Sequence, residues 1–369
     1  MILFSGKRDT LLRPLQAVSG IVERRHTLPI LSNVLLQRKE NVVALTATDI
    51  EIQVDTSFAC DSPGDDGAVT VSARKLQDIL RALPDDAELT LEVKDRRIQV
   101  RSGRSRFFLQ SLAAEDFPRV NRSGAITAKF KLTQARLKRL FALVQYAMAV
   151  QDIRYYLNGL LLVAENESLS AVATDGHRLA VAVSSQTLSV REKVEVILPR
   201  KAVTEVFRLL GEVEEEVDVE LDVGQARISF DKIELCSKLI DGRFPEYERV
   251  IPSGALRTVR VGRLQLLQTL QRAAILTSEK FKGVRCVLSD GVLRIVSSNT
   301  EQEEAQEELP VAFTGEALDI GFNVTYLLDV LDNLDTEEVE WNFGAANSSS
   351  LITIPGRTDF KYVVMPMRI

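Results

Sequence analysis

One order of predicted elements recurs three times along the chain, at a spacing of about 125 residues. Each copy begins with an alternating strand and an amphipathic helix, and then passes through short apolar strands to a second strand–helix pair. Asp49 and Asp175 end matching Ala-Thr-Asp triplets at equivalent places in the first two copies. Such recurrence is typical of architectures that use one structural unit several times. The 369 residues therefore predict three copies of one small domain.

Turn-forming Gly and Ser near residues 124 and 253 mark the domain boundaries, so we predict domains over 1–124, 125–253 and 254–369. In each predicted helix the apolar residues follow one face, and in the third helix this stripe runs from Leu137 to Met148. The strands between the helices are rich in Val, Ile and Leu. Each domain is therefore predicted to be α+β, with two helices packed on antiparallel sheet.

The charge of the chain is unevenly distributed. The six predicted helical segments together carry a net charge of +9, so the rest of a chain of net charge −6 carries −15. If the helices line a common surface, that surface attracts phosphates irrespective of base sequence. Ordinary solvated Lys and Arg on helices are the alternative interpretation.

Several function classes are disfavoured. No uncharged run approaches the roughly 20 residues of a membrane span, and the three separated cysteines are typical of reduced thiols in a cytoplasmic protein. Asp175 and His177 suggest a hydrolase as one alternative, but the chain has two histidines and no nucleophile or metal motif. Gly176 is better explained by a tight turn that exposes the residues after it. We expect no catalytic activity, metal or cofactor; a protein scaffold without a DNA role is a further alternative.

Eight segments carry a resemblance to a known family. They are TLPILSN (27–33), RSGRSRF (101–107), QDIRYYLNG (151–159), ATDGHRLA (173–180), DGRFPEY (241–247), EKFKGVR (279–285), EQEEAQEEL (301–309) and YVVMPMRI (362–369). Through them the whole chain resembles the beta-subunit family of bacterial DNA polymerase III, the replicative sliding clamps. The chain departs from the family pattern at His26, where a Pro is expected, and at Phe108, where a small polar residue is expected.

The resemblance implies the DNA clamp fold and a homodimeric ring of six domains around duplex DNA, with helices inside and sheets outside. Such a ring confers processivity and has no chemistry of its own. The implied partners are double-stranded DNA without sequence specificity, the polymerase III catalytic subunit, clamp-loader subunits, and other clamp-binding polymerases and repair proteins.

The resemblance also implies three sets of site residues. The DNA contacts are Arg25, Arg74, Gln151, Tyr155 and Tyr156. The peptide pocket is formed by Leu157, Thr174, Gly176, His177, Arg178, Leu179, Pro245, Arg249, Val250, Val363, Val364, Met365, Pro366 and Met367. The dimer interface contains Lys75, Arg104, Arg106, Leu109, Ile275, Leu276, Glu301 and Glu304. Basic RSGRSRF and acidic EQEEAQEEL are complementary in charge, and a contact between these different surfaces closes a ring when its rotation permits.

Overall fold

The computed structural model describes residues 1–23, 28–121, 124–254, 257–278 and 281–368 of the chain. Within these ranges one order of elements occurs three times: a strand, a helix, four strands, a second helix and three strands. This recurrence confirms the predicted repeat and the α+β fold class. Among the described residues, every helix is too short or too polar to cross a lipid bilayer.

The bounds of the elements are as follows. The first repeat contains β1 (Ile2–Lys7), α1 (Arg8–Val18), β2 (Asn33–Lys39), β3 (Val42–Thr48), β4 (Ile52–Ala59), β5 (Gly67–Ser72), α2 (Ala73–Ala82), β6 (Glu88–Lys94), β7 (Arg97–Ser102) and β8 (Ser105–Gln110). The second contains β9 (Ala128–Thr133), α3 (Gln134–Ala142), β10 (Gly159–Glu165), β11 (Ser168–Thr174), β12 (Arg178–Ser185), β13 (Val194–Pro199), α4 (Arg200–Leu209), β14 (Glu216–Leu221), β15 (Gln225–Phe230) and β16 (Ile233–Lys238). The third contains β17 (Arg257–Gly262), α5 (Arg263–Ala274), β18 (Gly283–Ser289), β19 (Val292–Ser298), β20 (Glu304–Pro310), β21 (Leu318–Asn323), α6 (Val324–Asn333), β22 (Glu338–Phe343), β23 (Ser350–Thr353) and β24 (Phe360–Val364).

The chain divides into two compact units, each with one four-stranded and one eight-stranded antiparallel sheet. The first unit comprises Met1–Ala135 and Thr204–Leu239, with strand orders β1-β6-β7-β8 and β5-β2-β3-β4-β16-β15-β14-β9. The second comprises Arg136–Val203 and Ile240–Ile369, with strand orders β20-β19-β18-β21 and β13-β10-β11-β12-β24-β23-β22-β17.

Each eight-stranded sheet crosses from one repeat to the next through a single strand pair. In the first unit β4 pairs with β16, and Val54 lies opposite Leu235. In the second unit β12 pairs with β24, and Ala180 lies opposite Tyr362. In both cases the fourth strand of one repeat pairs with the eighth strand of the following repeat. Strand β20 is the fourth strand of the third repeat, and β8 is the eighth strand of the first repeat, so neither has such a partner within the described chain. Both lie at sheet edges.

The helices form because each one presents a single apolar stripe to the sheets. Helix α1 buries Leu11, Leu15 and Val18, which recur at the spacing of one helical face. Two of the helices also begin with a side-chain cap, which satisfies an amide that the helix cannot bond internally. The Ser72 hydroxyl accepts the Lys75 amide of α2, and the Asn323 side chain caps α6 in the same way. Helix α1 packs against α2, and α5 packs against α6.

The third predicted helix is shorter than its apolar stripe suggests, so its predicted extent to Met148 is wrong. Helix α3 ends at Ala142, and Gln145–Ala147 forms a separate 3-10 turn. Val144, with a φ of −130°, interrupts the helical backbone between them. Val144 and Met148 are nevertheless buried, at 0% and 2% exposure. The apolar pattern therefore predicted burial correctly beyond the point where the helix ends.

The helical stripe of α5 allows a matched test of core packing. Leu266 is completely buried, whereas Leu264, two residues earlier, is 56% exposed. We expect Leu266→Ala to lower the free energy of unfolding by about 2–5 kcal/mol, because it leaves a cavity. Leu264→Ala should change it by less than about 0.5 kcal/mol. Urea unfolding followed by fluorescence of Trp341, the single tryptophan, measures both; equal effects would contradict the burial assigned to α5.

Candidate functional site

A cavity of about 250 Å³ opens on the surface of the second unit. Its wall is assembled from five separate parts of the chain, and its apolar floor continues into the core. Leu157, Leu179 and Val363 are each at most 3% exposed and belong to one buried cluster. The cavity is lined by Arg154, Tyr156, Leu157, Thr174, Gly176, His177, Arg178, Leu179, Pro245, Glu246, Tyr247, Val250, Ser349, Val363 and Met365. An apolar cleft with a few polar groups at its rim is the usual form of a ligand site.

The turn between β11 and β12 supplies one side of this cavity. One Asp175 carboxylate oxygen accepts the amides of His177 and Arg178 at 2.9 and 3.0 Å. Gly176 has a φ of +90°, and a Cβ there would lie 2.8 Å from the Arg154 guanidinium. Glycine therefore suits both the left-handed backbone and the close contact. The turn leaves His177 exposed, and its carbonyl accepts the Met365 amide at 2.9 Å, which ties the C-terminal segment to this side of the cavity.

The hydrolase alternative is not supported by this geometry. Besides the two amides of its own turn, the Asp175 carboxylate bonds to the Nε of Arg178 at 3.1 Å. The carboxylate is thus engaged in holding the turn and an arginine rather than in orienting the His177 ring. Over the described residues there is no cluster of three or more His, Cys, Asp or Glu that could hold a metal ion.

Arg178 is the electrostatic anchor beneath the turn. Its side chain is 9% exposed, pairs with Asp175 and Asp329, and donates to the Tyr146 carbonyl at 2.6 Å. The guanidinium also lies 4.5 Å from the centre of the Tyr326 ring. Burial acts to lower the pKa of Arg178, but the Tyr362 hydroxyl and the two carboxylates outweigh it, so the pKa is raised and the cation persists. This network fixes β12 and therefore the cavity wall.

The structure brings together ten of the fourteen residues predicted for the pocket. The lining residues among them are Leu157, Thr174, Gly176, His177, Arg178, Leu179, Pro245, Val250, Val363 and Met365. Of the others, Val364 is completely buried, and Arg249 is 80% exposed and pairs with Glu246 at 2.6 Å. Pro366 is half-buried, and the Met367 amide donates to the Gly321 carbonyl at 2.8 Å.

Five lining residues were not predicted for this site. Glu246 and Tyr247 lie within the DGRFPEY segment, which is a signal that could have identified them. Burial raises the pKa of Tyr247 to about 12. Ser349 precedes β23, and no feature of its own surroundings in the sequence points to a pocket. Arg154 and Tyr156 follow Gln151 in a segment predicted to contact DNA, so this loop and the cavity share residues.

The structure describes four of the five predicted DNA contacts; Arg25, like the His26 departure, lies outside the described residues. Arg74 is exposed on α2, 3.6 Å from Asp78. Gln151 is exposed with a φ of +54°, and Tyr155 is 59% exposed and packs edge-on against half-buried Tyr156.

The loop that carries Gln151 and Tyr155 is internally braced. The Asn158 side chain accepts the Asp152 amide and donates to the Asp152 carbonyl, both at 2.8 Å. A hydrogen bond from Arg154 lowers the pKa of Asp152 to about 2, so this ion pair persists at neutral pH. Val150 and Ile153 project from the loop at 67% and 96% exposure and were not predicted as site residues. The loop therefore holds apolar, aromatic and basic side chains out towards solvent.

The predicted interface segments are edge strands. Strand β8 exposes Arg106 and Phe108, the latter by 58%, and Leu109 is 9% exposed. The acidic run EQEEAQEEL, for which a solvated charge run was the alternative interpretation, overlaps strand β20, which exposes Glu304. Lys75, Arg104 and Glu301 are exposed, Ile275 is 76% exposed, and Leu276 is half-buried.

The first repeat differs from the second at the floor of the equivalent turn. Thr48 pairs with Gln53 as Thr174 pairs with Leu179, so Gln53 occupies the position of the floor residue. The Gln53 side chain accepts the Val120 amide at 2.8 Å. A satisfied polar group thus stands at the place where the second repeat has an apolar floor.

Comparison with known proteins identifies similar sequences over the whole chain. Family models for the N-terminal, central and C-terminal domains of the DNA polymerase III beta subunit match residues 2–121, 131–246 and 248–368. The chain is 45% identical over 367 residues to the beta sliding clamp of Pseudomonas putida, which covers 99% of this chain and 100% of that one. It is 44% identical over 366 residues to the beta sliding clamp of Escherichia coli, with coverage of 99% and 100%.

Solved structures are similar to the same extent. The crystal structure of the DNA polymerase III subunit beta from Pseudomonas aeruginosa superposes with a TM-score of 0.94 at 44% identity and covers 100% of both chains. A sliding clamp from Bartonella birtlesii, crystallised with griselimycin, gives a TM-score of 0.94 at 36% identity, with 99% of both chains covered.

The Arg178 network predicts a large effect on stability. Arg178→Met leaves the Asp175 and Asp329 carboxylates without their cation, and we expect a loss of about 3 kcal/mol in the free energy of unfolding. Arg154→Met is the control, because Arg154 is 44% exposed and its ion pair with Asp152 should contribute less than about 1 kcal/mol. Urea denaturation measures both variants; a loss below 1 kcal/mol for Arg178→Met would show that the network does not anchor the turn.

Proposed function

The chain belongs to the DNA polymerase III beta subunit family, and we propose that two copies of it close into a ring that encircles duplex DNA. The ring tethers the replicative polymerase to its template and confers processivity without catalytic activity. The observation that carries this proposal is the pairing of the fourth strand of one repeat with the eighth strand of the next. This pairing leaves one fourth strand, β20, and one eighth strand, β8, at sheet edges.

Ring closure follows if β20 of one copy pairs with β8 of the other as β4 pairs with β16 and β12 pairs with β24 within the chain. We call each such contact between repeats a junction. In the β4–β16 junction Gln53 lies opposite Cys236. Transfer of this register to the equivalent strands places Glu304 of one copy opposite Phe108 of the other. Arg106 then lies opposite Gln306 of the other copy and diagonal to Glu304, within reach of an ion pair. A head-to-tail contact of this kind closes a ring when its rotation permits.

The apolar residues should contribute more to this interface than its ion pairs. Exposed ion pairs of Arg104 and Arg106 with Glu301 and Glu304 are each worth about 0–1 kcal/mol. Burial of Ile275 should contribute more, about 1.5–3 kcal/mol if it is complete, because this isoleucine is 76% exposed in the single chain. The opposite charges of the two strands instead select the correct partner edge.

DNA binding is proposed to depend on dispersed positive charge. Arg13 on α1 and Arg74 on α2 are exposed by 83% and 66%. Together with Arg25, they face phosphates without reading base sequence. Gln151, Tyr155 and Tyr156 are proposed to contact the DNA from the braced loop, where an exposed aromatic ring can stack on a base. Because this attraction has no preferred register, the ring slides.

The cavity of the second unit is proposed to bind short, partly apolar peptide segments of partner proteins. Its apolar floor excludes water, whereas Arg154, His177 and Arg249 supply donors at the rim. Met365 is 48% exposed and can adapt to different side chains. The partners proposed are the polymerase III catalytic subunit, clamp-loader subunits, and other polymerases and repair proteins, all in the cytoplasm.

Encirclement predicts a dependence on DNA topology. Once loaded, the ring should persist on nicked circular DNA and be lost from linear DNA with free ends, because linkage rather than affinity retains it. Raising the salt concentration should weaken direct binding to short duplexes far more than it shortens the lifetime on circles. Retention is measured by gel filtration of labelled protein on the two DNA forms. Equal retention on circular and linear DNA would exclude encirclement.

The pocket predicts a matched pair of variants. Val250 lines the cavity and is 55% exposed, whereas Val223 is 88% exposed in the first unit. We expect Val250→Asp to weaken binding of a labelled peptide from the polymerase catalytic subunit at least 10-fold, about 1.4 kcal/mol, because it places a charge beside the apolar floor. Val223→Asp should leave the affinity unchanged. Fluorescence anisotropy measures both.

Deletion of residues 365–369 should abolish peptide binding and leave the dimer intact. Undiminished affinity in both the deletion variant and Val250→Asp would place the peptide site elsewhere.

A further inference from the structure

We infer that Asp78 and Arg81 on α2 recognise the C-terminal end of α5 in a second copy of this chain. This inference rests on the proposed ring, and it assigns to the interface two residues that the charge-complementary edge strands do not include. It is supported by the two places within the chain where successive repeats meet, at the β4–β16 and β12–β24 pairs. In each of these junctions, an acidic residue at the sixth position of the second helix of one repeat pairs with an arginine that bonds to a main-chain carbonyl of the neighbouring repeat.

In the first unit, the last turn of α4 contacts the end of α1. Arg208 donates to the Ala17 carbonyl at 2.8 Å and to the Gln16 carbonyl at 3.4 Å. Glu205 is 5% exposed and pairs with Arg208 at 2.6 Å. A Cβ built on Gly20 would fall 2.2 Å from the Glu205 carboxylate, so the two helices approach closely there. The arginine satisfies carbonyl oxygens that a helix leaves unbonded at its C-terminus, where positive charge is favoured.

In the second unit, the same kind of contact involves α6 and the turn that follows α3. Asp329 is the sixth residue of α6, as Glu205 is the sixth residue of α4. Asp329 pairs with Arg178, which donates to the Tyr146 carbonyl at 2.6 Å. The arginine comes from a strand here rather than from the helix. Both junctions share the carboxylate position and a main-chain acceptor near the end of the first helix of the neighbouring repeat, within its last turn in α1 and four residues beyond its end in α3.

Helix α2 has an acidic and a basic residue at the same positions, but it belongs to the first repeat, which no repeat precedes along the described chain. Asp78 and Arg81 are the sixth and ninth residues of this ten-residue helix, in the places of Glu205 and Arg208 in ten-residue α4. Both are exposed in the single chain, whereas Glu205 is buried. The position of the acid is thus the same in all three second helices. Its side chain is 6% exposed at Glu205 and 34% exposed at Asp329, where another repeat contacts it, and 61% exposed at Asp78.

The matching acceptor lies at the end of α5. Counted from the helix start, Gln271 and Arg272 occupy the places of Gln16 and Ala17 in α1. Ile275 occupies the place of Gly20 and is 76% exposed. In a third junction of this type, Arg81 donates to the carbonyl oxygens of Gln271 and Arg272. Asp78 is one methylene shorter than Glu205, which leaves room for Ile275 to pack beside it and the apolar stem of Arg81.

Dissociation of the purified full-length protein tests the role of Arg81. Arg81→Ala should weaken each junction roughly 10-fold through the lost charge-assisted bonds, and therefore raise the dimer dissociation constant roughly 100-fold, because a ring has two junctions. Arg81→Lys should show a smaller effect, since it keeps the charge but loses the forked geometry. Arg191→Ala, at an exposed arginine between β12 and β13 of the second repeat, is the control and should behave as wild type. Sedimentation equilibrium measures all three, with thermal melting to verify folding.

The double variant Ile275→Ala, Leu276→Ala separates failure of this inference from failure of the proposed ring. If this variant is monomeric and Arg81→Ala dimerises as wild type, the Arg81 contact is overturned and the ring stands. If both variants dimerise as wild type, the interface of the proposed function is itself wrong.

A cross-link tests the proximity of Asp78 and Ile275 directly. The chain with Asp78→Cys and Ile275→Cys should be joined by a short bis-maleimide into a product of two chains, whereas either single variant should not. The three native cysteines are buried and do not compete. Absence of the two-chain product from a dimeric sample would overturn the inference even if Arg81→Ala dissociated.

Discussion

Main-chain pairing between the fourth strand of one repeat and the eighth strand of the next is the interaction on which the rest of the structure depends. It joins β4 to β16 and β12 to β24, and so converts half-sheets of separate repeats into sheets of eight strands. The cavity is one result, because the start of β12 and the end of β24 both line it. The buried Arg178 network is another, since Arg178 begins β12 and its partner Asp329 comes from the following repeat.

Much of this fold could be predicted from local patterns. The alternation of helices and strands was predicted in all three repeats, because one-faced apolar stripes and alternating strands are set by neighbouring residues. The strand that precedes each second strand–helix pair, namely β4, β12 and β20, was not predicted. The end of α3 could not be predicted in this way, since Met148 is buried after the helix has ended. The crossing of the sheets between repeats was also missed. The choice of a strand's partner depends on contacts between residues distant in sequence, as with Val54 and Leu235.

The candidate site was predictable where a local segment carries its chemistry. The tight turn at Gly176 was predicted from the residue itself, and the observed φ of +90° explains why glycine stands there. Ser349 was not predictable, because the fold brings it to the cavity from the connection before β23. Val364 shows a third case: adjacent strand residues point to opposite faces, so Val363 lines the cavity and Val364 lies in the core. The burial of Arg178 could not be inferred either, since two acidic partners and two tyrosines assemble around it only in the folded chain.

The two unpaired edges, β8 and β20, also determine how copies of the chain can assemble. An exposed strand edge accepts any compatible strand, and a chain with one edge of each kind could in principle grow into an open filament. When the first junction of a pair has formed, however, the remaining two edges are tethered, and the second junction forms as an intramolecular reaction at high effective concentration. Closure leaves neither β8 nor β20 unpaired in either chain, so growth through these two edges stops at two chains. The same tethering acts when the ring opens. Separation of one junction exposes one β8 edge and one β20 edge, while the other junction keeps the two chains together. An opened ring therefore remains a dimer that can close again.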